Sequence, residues 1–216
     1  VYFMPTPDTR SEDGYRGVFV QALGHLLTAL EVAKSPVQRF FYVSSTSVYG
    51  QSQGEWVDER ADTRPQGFAG RVLLEGEQRA WASAFATTVV RFAGVYGPGR
   101  DRLVKRVRGG AGCVAEPSSY SNRIHRDDCA GMLCHLGGLA NPERLYIGVD
   151  DEPAEQCTVM DWLAARLRVP PPGREPNPSG GRGKRCSNAK LIGSGYRLRY
   201  PTFRDGYGEL LPDAAI

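Results

Sequence analysis

The chain has 216 residues, 41% hydrophobic and 24% charged, room for one good-sized domain or a domain with a small lobe. Its 27 basic and 24 acidic side chains leave a net charge of +3, too balanced to imply nucleic-acid binding. No apolar stretch approaches membrane-spanning length and no signal peptide is visible, so no membrane partner is expected.

Val1-Tyr2-Phe3-Met4 reads as a buried strand closed by Pro5 and Pro7. A natural N-terminus rarely opens inside a core strand, so a segment ahead of Val1 is expected. Gly14 to Val32 places Val18, Ala22, Leu26, Ala29 and Leu30 at helical spacing, and Pro36 stops that helix. Arg39 to Ser44 is a second strand, whose near-continuous apolar run suits a parallel strand covered on both faces. A polar loop with Gly50, Gly54, Asp58, Arg64 and Pro65 follows. Phe68 to Ala84 is the next helix. Thr87 to Phe92 is a β-branched, buried third strand, and Gly97-Pro98-Gly99 makes a sharp turn after it.

Asp101 to Arg108 is a short helix whose Arg102, Lys105, Arg106 and Arg108 read as a solvated basic face. Asn122 to His125 is extended, and Asp127 or Asp128 caps a helix running to about Leu139. Leu145 to Val149 is a fourth strand. Val159 to Arg168 is a helix ended by Pro170-Pro171-Pro172. Residues 170–183, rich in Pro, Gly, Arg and Ser, read as a mobile loop, and Ser187 to Leu191 starts a final short helix.

Strand and helix alternate with short connections, which predicts an α/β fold: a Rossmann-like, doubly wound parallel sheet with helices on both faces. Ligands on such sheets sit at the carboxyl ends of the strands. The loops that matter are then Pro5 to Asp8, Ser44 to Gly50 and Ala93 to Arg100. Five cysteines (Cys113, Cys129, Cys134, Cys157, Cys186) form no CxxC pair and are odd in number, which reads as reduced thiols in a cytoplasmic protein. No two of the three histidines sit at metal-ligand spacing, so no metal is expected. The surroundings of Ser45, Val43-Ser44-Ser45-Thr46-Ser47, lack the elbow of a hydrolase nucleophile.

Three motifs in order carry a family resemblance. Tyr42-Val43-Ser44-Ser45-Thr46-Ser47-Val48-Tyr49-Gly50 resembles the "SSxxVYG" signature of extended short-chain dehydrogenase/reductases, the nucleotide-sugar epimerase and dehydratase group. Arg91-Phe92-Ala93-Gly94-Val95-Tyr96-Gly97-Pro98-Gly99 is similar to their "RxxNVYGPG" element, and Asn122 to Ala130 to their "FIHVDDVA" segment. Asn122-Arg123-Ile124-His125 with Gly70-Arg71-Val72-Leu73-Leu74-Glu75 looks most like an atypical, YeeZ-like branch. Lys184 to Leu191 resembles the "NxKL" region that lies over the family's substrate. The resemblance implies a dinucleotide-binding domain, its C-terminal part, over residues 1–150, and a substrate-covering region over 151–216. It also implies that Asp128 caps its helix and His125 sits in a structural turn.

The resemblance further implies NAD or NADP as cofactor, held by Met4, Pro5, Ser44, Phe92, Gly94 and Val95, and a polar small-molecule substrate met by Thr46, Tyr96 and Asn188. Two features depart from the pattern. No GxGxxG is present; Val1 to Met4 matches the family's fourth strand, which places the pyrophosphate loop upstream. The family's catalytic Tyr and Lys fall at Ala69 and Leu73, neither of which transfers protons. The upstream hydroxyl is retained at Ser45, the expected polar anchor of catalysis, with Arg71 as an electrostatic partner. Two functions follow: an NAD(P)-dependent epimerase, dehydratase or reductase, or a dinucleotide-binding sensor without turnover. Small residues Gly17, Gly24, Ala69 and Gly76 on two helices suggest a homodimer.

Overall fold

The computed structural model describes residues 1–211. Two compact units form, each assembled from separate stretches of chain. The first comprises Val1–Gly50, Glu59–Phe92 and His135–Ile147; the second comprises Gln51–Asp58, Ala93–Cys134 and the residues from Gly148 onward.

The first unit is built on a four-stranded sheet, β1 (Tyr2–Phe3), β2 (Phe40–Ser45), β3 (Thr87–Phe92) and β4 (Leu145–Gly148), in that spatial order. β1 pairs with β2, and β2 with β3, in parallel. All six residues of β3 and four of β2 are buried, as a parallel strand covered on both faces requires. The α/β, Rossmann-like architecture expected from the alternation of elements is what forms.

Ser11 accepts a hydrogen bond from the Gly14 amide, so the first helix, α1 (Glu12–Arg16), begins two residues before the expected start and carries two acids in its first turn. It continues through a π-helical stretch, Gly17–Ala22, into α2 (Leu23–Val32). α3 (Phe68–Trp81) ends three residues earlier than the spacing predicts, where the Ser83 hydroxyl takes the Ala80 carbonyl. Two of the four small residues proposed for subunit packing are engaged inside this unit. A side chain at Gly76 would collide with Tyr42 and the Phe19 carbonyl, and one at Gly24 with the Arg79 guanidinium.

The second unit packs α4 (Arg102–Arg108), α6 (Gln156–Leu167) and α8 (Phe203–Leu210) around a core that includes Val104, Val107, Met160, Leu163, Phe203 and Tyr207. Two further helices are α5 (Arg126–Gly138) and α7 (Ala189–Gly193). Short strand pairs supply the rest: Gly94–Tyr96 runs parallel to Arg123–His125, and Gln53–Val57 parallel to Gly183–Cys186.

Several expectations need correction here. Residues 170–183 are not simply a loop, because Arg174–Pro176 pairs in parallel with Cys113–Glu116 and Arg174 forms a two-pronged ion pair with Asp161. Cys113 and Cys157 form a disulfide, with Cα atoms 5.3 Å apart, in place of two reduced thiols. Asp128 does not cap its helix. Its buried carboxylate accepts from the Arg199 and Tyr200 amides and the Tyr196 hydroxyl, pinning that loop. The first turn of α5 is satisfied instead by His125, whose Nδ1 accepts from the Asp127 amide. The last helix is α8, opened by a Thr202–Asp205 capping box, and the short helix before it lies at Ala189–Gly193.

Candidate functional site

In the first unit the site residues gather at the carboxyl ends of β1 and β2. Met4, just past β1, is 61% exposed, an apolar side chain open to solvent beside half-buried Pro5. Two adjacent serines end β2 and point to opposite faces, as strand geometry dictates. Ser44 is buried and donates to Glu77 Oε1 at 2.6 Å. Ser45 is half-buried; its Oγ accepts from the Ser47 amide at 3.2 Å and opens the one-turn helix Thr46–Val48. Its hydroxyl proton is not committed to that bond, so Ser45 can still donate to a ligand oxygen.

A charge sits under this end of the sheet. Arg91, in the buried strand β3, is 3% exposed and Glu77, on α3, is fully buried. Arg91 Nε and Nη2 reach the two Glu77 oxygens at 2.9 and 2.6 Å, and its Nη1 donates to the Tyr49 hydroxyl at 2.7 Å. The bidentate pair satisfies two ions that could not otherwise stay buried, and it links α3, β2 and β3 around Ser44. The start of α3 lies against the Thr46–Val48 turn, where a side chain at Gly70 would overlap the Ser47 carbonyl. Ala69 is half-buried and Leu73 is buried one turn further on. Arg71 is two residues from each, about 200° around the helix. Its exposed guanidinium donates to the Gln66 carbonyl at 3.1 Å, beside a surface hollow shared with Arg64, Glu75 and Gln78.

In the second unit Gly94, Val95 and Tyr96 line one wall of a hollow of about 340 Å³, whose other walls carry Arg100, Arg102, Arg106, Arg123, Gln156 and Tyr207. Tyr96 is buried, stacks on Tyr207 at 4.3 Å and has its hydroxyl without a hydrogen-bond partner. Burial, then the nearby Asp150, pushes that phenol well above its ordinary range, so it stays neutral. Asp150 itself is pushed up to about 7, chiefly by burial and against the pull of Arg123. The Asn188 amide nitrogen donates to Asp151 Oδ1 at 2.6 Å and to the Val149 carbonyl, which leaves its Oδ1 for other contacts.

The expected residues therefore fall into distinct groups. Met4, Pro5, Ser45 and Thr46 cluster beyond β1 and β2; Gly94, Val95 and Tyr96 share the second unit's hollow. Ser44 is engaged internally, Phe92 is buried at the end of β3 opposite Ser45, and Arg71 stands on a different face of α3 from Ala69 and Leu73. Sequence reasoning missed the Glu77–Arg91 pair and Arg123. The signals were present: a lone arginine inside an apolar strand pattern, and an arginine where the "FIHVDDVA" motif carries Phe. Arg102 and Arg106 are exposed, as a solvated face requires, and they also line the rim of the hollow. Among the described residues no group of three or more His, Cys, Asp or Glu is placed to hold a metal, and no helix is long and apolar enough to cross a membrane.

No protein-family model matches the chain. Over 190 residues it is 30% identical to protein YeeZ of Escherichia coli K12, an alignment covering 85% of this chain and 65% of YeeZ. The chain thus spans just under two thirds of the length of that curated relative. A solved structure from Methylobacillus flagellatus, provisionally assigned as an NAD-dependent epimerase/dehydratase, is 40% identical with a TM-score of 0.80; the match covers 92% of this chain and 72% of that one. A human epimerase family protein with NADPH shares the fold at 18% identity and a TM-score of 0.78, over 95% of this chain and 77% of its own.

Proposed function

We propose an activity for this chain, which belongs to the NAD-dependent epimerase/dehydratase family of extended short-chain dehydrogenase/reductases: NAD(P)-dependent epimerisation, dehydration or carbonyl reduction of a polar, nucleotide-sugar-like substrate. The observation that carries it is the half-buried Ser45 hydroxyl at the carboxyl end of a parallel strand, its proton free, on a turn braced by α3. The residues present fit a nicotinamide cofactor in part. Met4 offers an exposed apolar surface beyond β1, and Pro5, Thr46 and the Ser45 hydroxyl follow the strand ends where such ligands bind. Ser44 supports from beneath through Glu77 instead of touching the ligand. Bound there, the cofactor supplies the hydride chemistry.

The chain's own residues then orient and polarise. Ser45 donates to the substrate oxygen that gains or loses a proton. Within the second unit, Tyr96, Gly94 and Val95 line a hollow open to a polar ligand, and the Asn188 carbonyl oxygen offers an acceptor. Arg71 is placed to act at the outer face of α3, as an electrostatic contact for an anionic group. Proton transfer has no Tyr–Lys pair to use, since those positions are Ala69 and Leu73. A second reading, an NAD(P) binder without turnover, is favoured by that pair of apolar side chains.

One experiment separates the readings. NADH and NADPH are titrated by nucleotide fluorescence, and deuterium transfer from the reduced, deuterated cofactor to supplied nucleotide-sugar carbonyl compounds is then followed by mass spectrometry. The enzyme reading expects transfer that Ser45→Ala lowers by about 10²-fold or more while cofactor binding persists. Cofactor binding with no transfer to any compound supports the sensor reading, and no binding of either nucleotide rejects both.

A further inference from the structure

The Cys113–Cys157 disulfide has no part in the activity proposed above, and its surroundings differ from those of an inert staple. It joins the strand Cys113–Glu116, which follows α4, to the first turn of α6. Both residues belong to the second unit's core, Cys113 only 1% and Cys157 7% exposed. Apolar burial of that kind disfavours thiolates. Each sulfur nevertheless has groups beside it that stabilise its reduced form.

At Cys113 the group is a cation. Arg174 Nη1 donates to Cys113 Sγ at 3.1 Å, a weak bond to a disulfide sulfur and a strong one to a thiolate. The guanidinium is held in place: Asp161 on α6 takes it in a two-pronged pair at 3.0 and 2.6 Å, and the Pro172 carbonyl accepts from the same Nη1. Cys157 is the second residue of α6, whose first turn carries no acidic side chain and no side-chain cap, so the positive end of the helix faces its sulfur unopposed. The preceding Glu155 is turned to the Ser118 hydroxyl instead. Cys157 Sγ also lies 3.2 Å from the Val114 carbonyl, an acceptor that a disulfide sulfur has no proton to use and a thiol does. A disulfide whose reduced form is stabilised in this way is a stronger oxidant than a structural one, and thiols open it more readily.

We propose that Cys113–Cys157 is a reversible redox tie, opened by small thiols of the glutathione class and closed by their disulfides, which governs how firmly the first turn of α6 is held. In opening, the reductant's thiolate bonds to Cys157 Sγ, on the more exposed of the two residues, and the electron pair of the old bond leaves with Cys113 as a thiolate against Arg174. A second reductant thiolate then attacks the sulfur that the first supplied. Cys157 leaves as a thiolate at the helix amides, takes a proton and donates it to the Val114 carbonyl. One protein disulfide and two thiols become one protein dithiol and one small-molecule disulfide, with two electrons passing to the protein. Gln156, next to Cys157, lines the second unit's hollow, and its amide donates to the Ser119 carbonyl at 2.9 Å. With the tie open, the hollow's wall at Gln156 loses its covalent anchor.

The test places the whole chain in graded mixtures of reduced and oxidised glutathione, starting once from oxidised and once from reduced protein. Acid-quenched samples are differentially alkylated and their peptides weighed, with the exposed Cys134 as a check on labelling. Both starting points should converge on one midpoint within the range of these mixtures. Arg174→Met should move that midpoint about tenfold or more toward the disulfide, and Arg174→Lys should move it less. Asp161→Asn breaks the same ion pair but leaves the cation on the sulfur, so it should not move the midpoint that way; a merely structural role for Arg174 would move both variants alike. Amide hydrogen exchange at Gln156 and Cys157 should speed up about tenfold or more on reduction and slow again on reoxidation. A pair that stays oxidised in millimolar reduced glutathione, a pair that never closes in oxidised glutathione, a midpoint unmoved in Arg174→Met or moved equally in Asp161→Asn, or exchange indifferent to redox state would each overturn the proposal.

Discussion

Glu77→Gln tests the brace beneath Ser44 most directly. The change keeps the side chain's shape and removes its charge. Arg91, 3% exposed, then keeps the Tyr49 hydroxyl but faces an amide where a carboxylate took its Nε and Nη2. Whichever way the amide turns, its NH2 group meets an Arg91 donor, Nε or Nη2, donor against donor. Removing one partner of a buried ion pair costs about 3–5 kcal/mol, because the other charge is left uncompensated. Against a total stability of roughly 5–15 kcal/mol that is about a fifth or more. It corresponds to a fall in melting temperature of roughly 10 °C for a domain of this size. Urea unfolding followed by far-ultraviolet circular dichroism gives the free energy and checks that the m-value is unchanged. The double variant Glu77→Gln/Arg91→Met removes the stranded cation, and a double-mutant cycle should then show a coupling of about 2 kcal/mol or more. A loss below about 1 kcal/mol in Glu77→Gln, or strictly additive losses in the cycle, would refute this account of the pair.

Two further outcomes follow from the geometry. Gly70→Ala places a methyl group against the Ser47 carbonyl and 2.7 Å from Pro65 Cβ, so it should cost about 1–3 kcal/mol in urea unfolding and weaken cofactor binding by displacing the Thr46–Val48 turn; full wild-type stability would show that the turn yields freely. Burial raises the Asp150 carboxyl from near 3.8 to about 7, so the folded chain holds a proton that the unfolded chain releases, and this contribution to stability is complete below pH 3.8 and lost as pH rises to 7. From pH 5 to 8 wild type should lose about 3 kcal/mol from this group, and Asp150→Asn should remove that slope. The comparison cancels the opposite trend from His125, which burial holds below its ordinary value, and equal slopes in the two proteins would count against the assignment.

What the sequence disclosed and what it hid divide along physical lines. Phe40–Ser45 and Thr87–Phe92 were legible as covered parallel strands because every residue of such a strand must be apolar or locally satisfied, and composition records that. The helix expected over Phe68 to Ala84 forms as α3, Phe68–Trp81. The Glu77–Arg91 pair was not legible, because a helix pattern and a strand pattern each report only their own periodicity, and neither says which positions meet. The Cys113–Cys157 pair, 44 residues apart, was hidden behind an odd cysteine count for the same reason. Arg174–Pro176 pairs with a strand about sixty residues earlier, so its proline-rich surroundings alone suggested a loop. α8 is a different case: Thr202 and Asp205 stand at capping-box spacing and were readable.

The pair that was hidden also bears on the chemistry that the sequence left open. Ala69, Leu73 and Glu77 follow one another at four-residue steps, so they occupy one stripe of α3. Glu77 is held against Ser44 and Arg91, which fixes that stripe toward the carboxyl-terminal half of β2 and β3. The helix therefore turns the two positions where its family carries Tyr and Lys toward the face of the sheet that Ser44 occupies. Ala69, half-buried, and Leu73, buried, put apolar side chains on that stripe. The buried ion pair holds this stripe in register on the sheet. An apolar stripe would pack against the sheet without burying two charges, so the pair adds a specific tie between α3, β2 and β3 that packing alone would not.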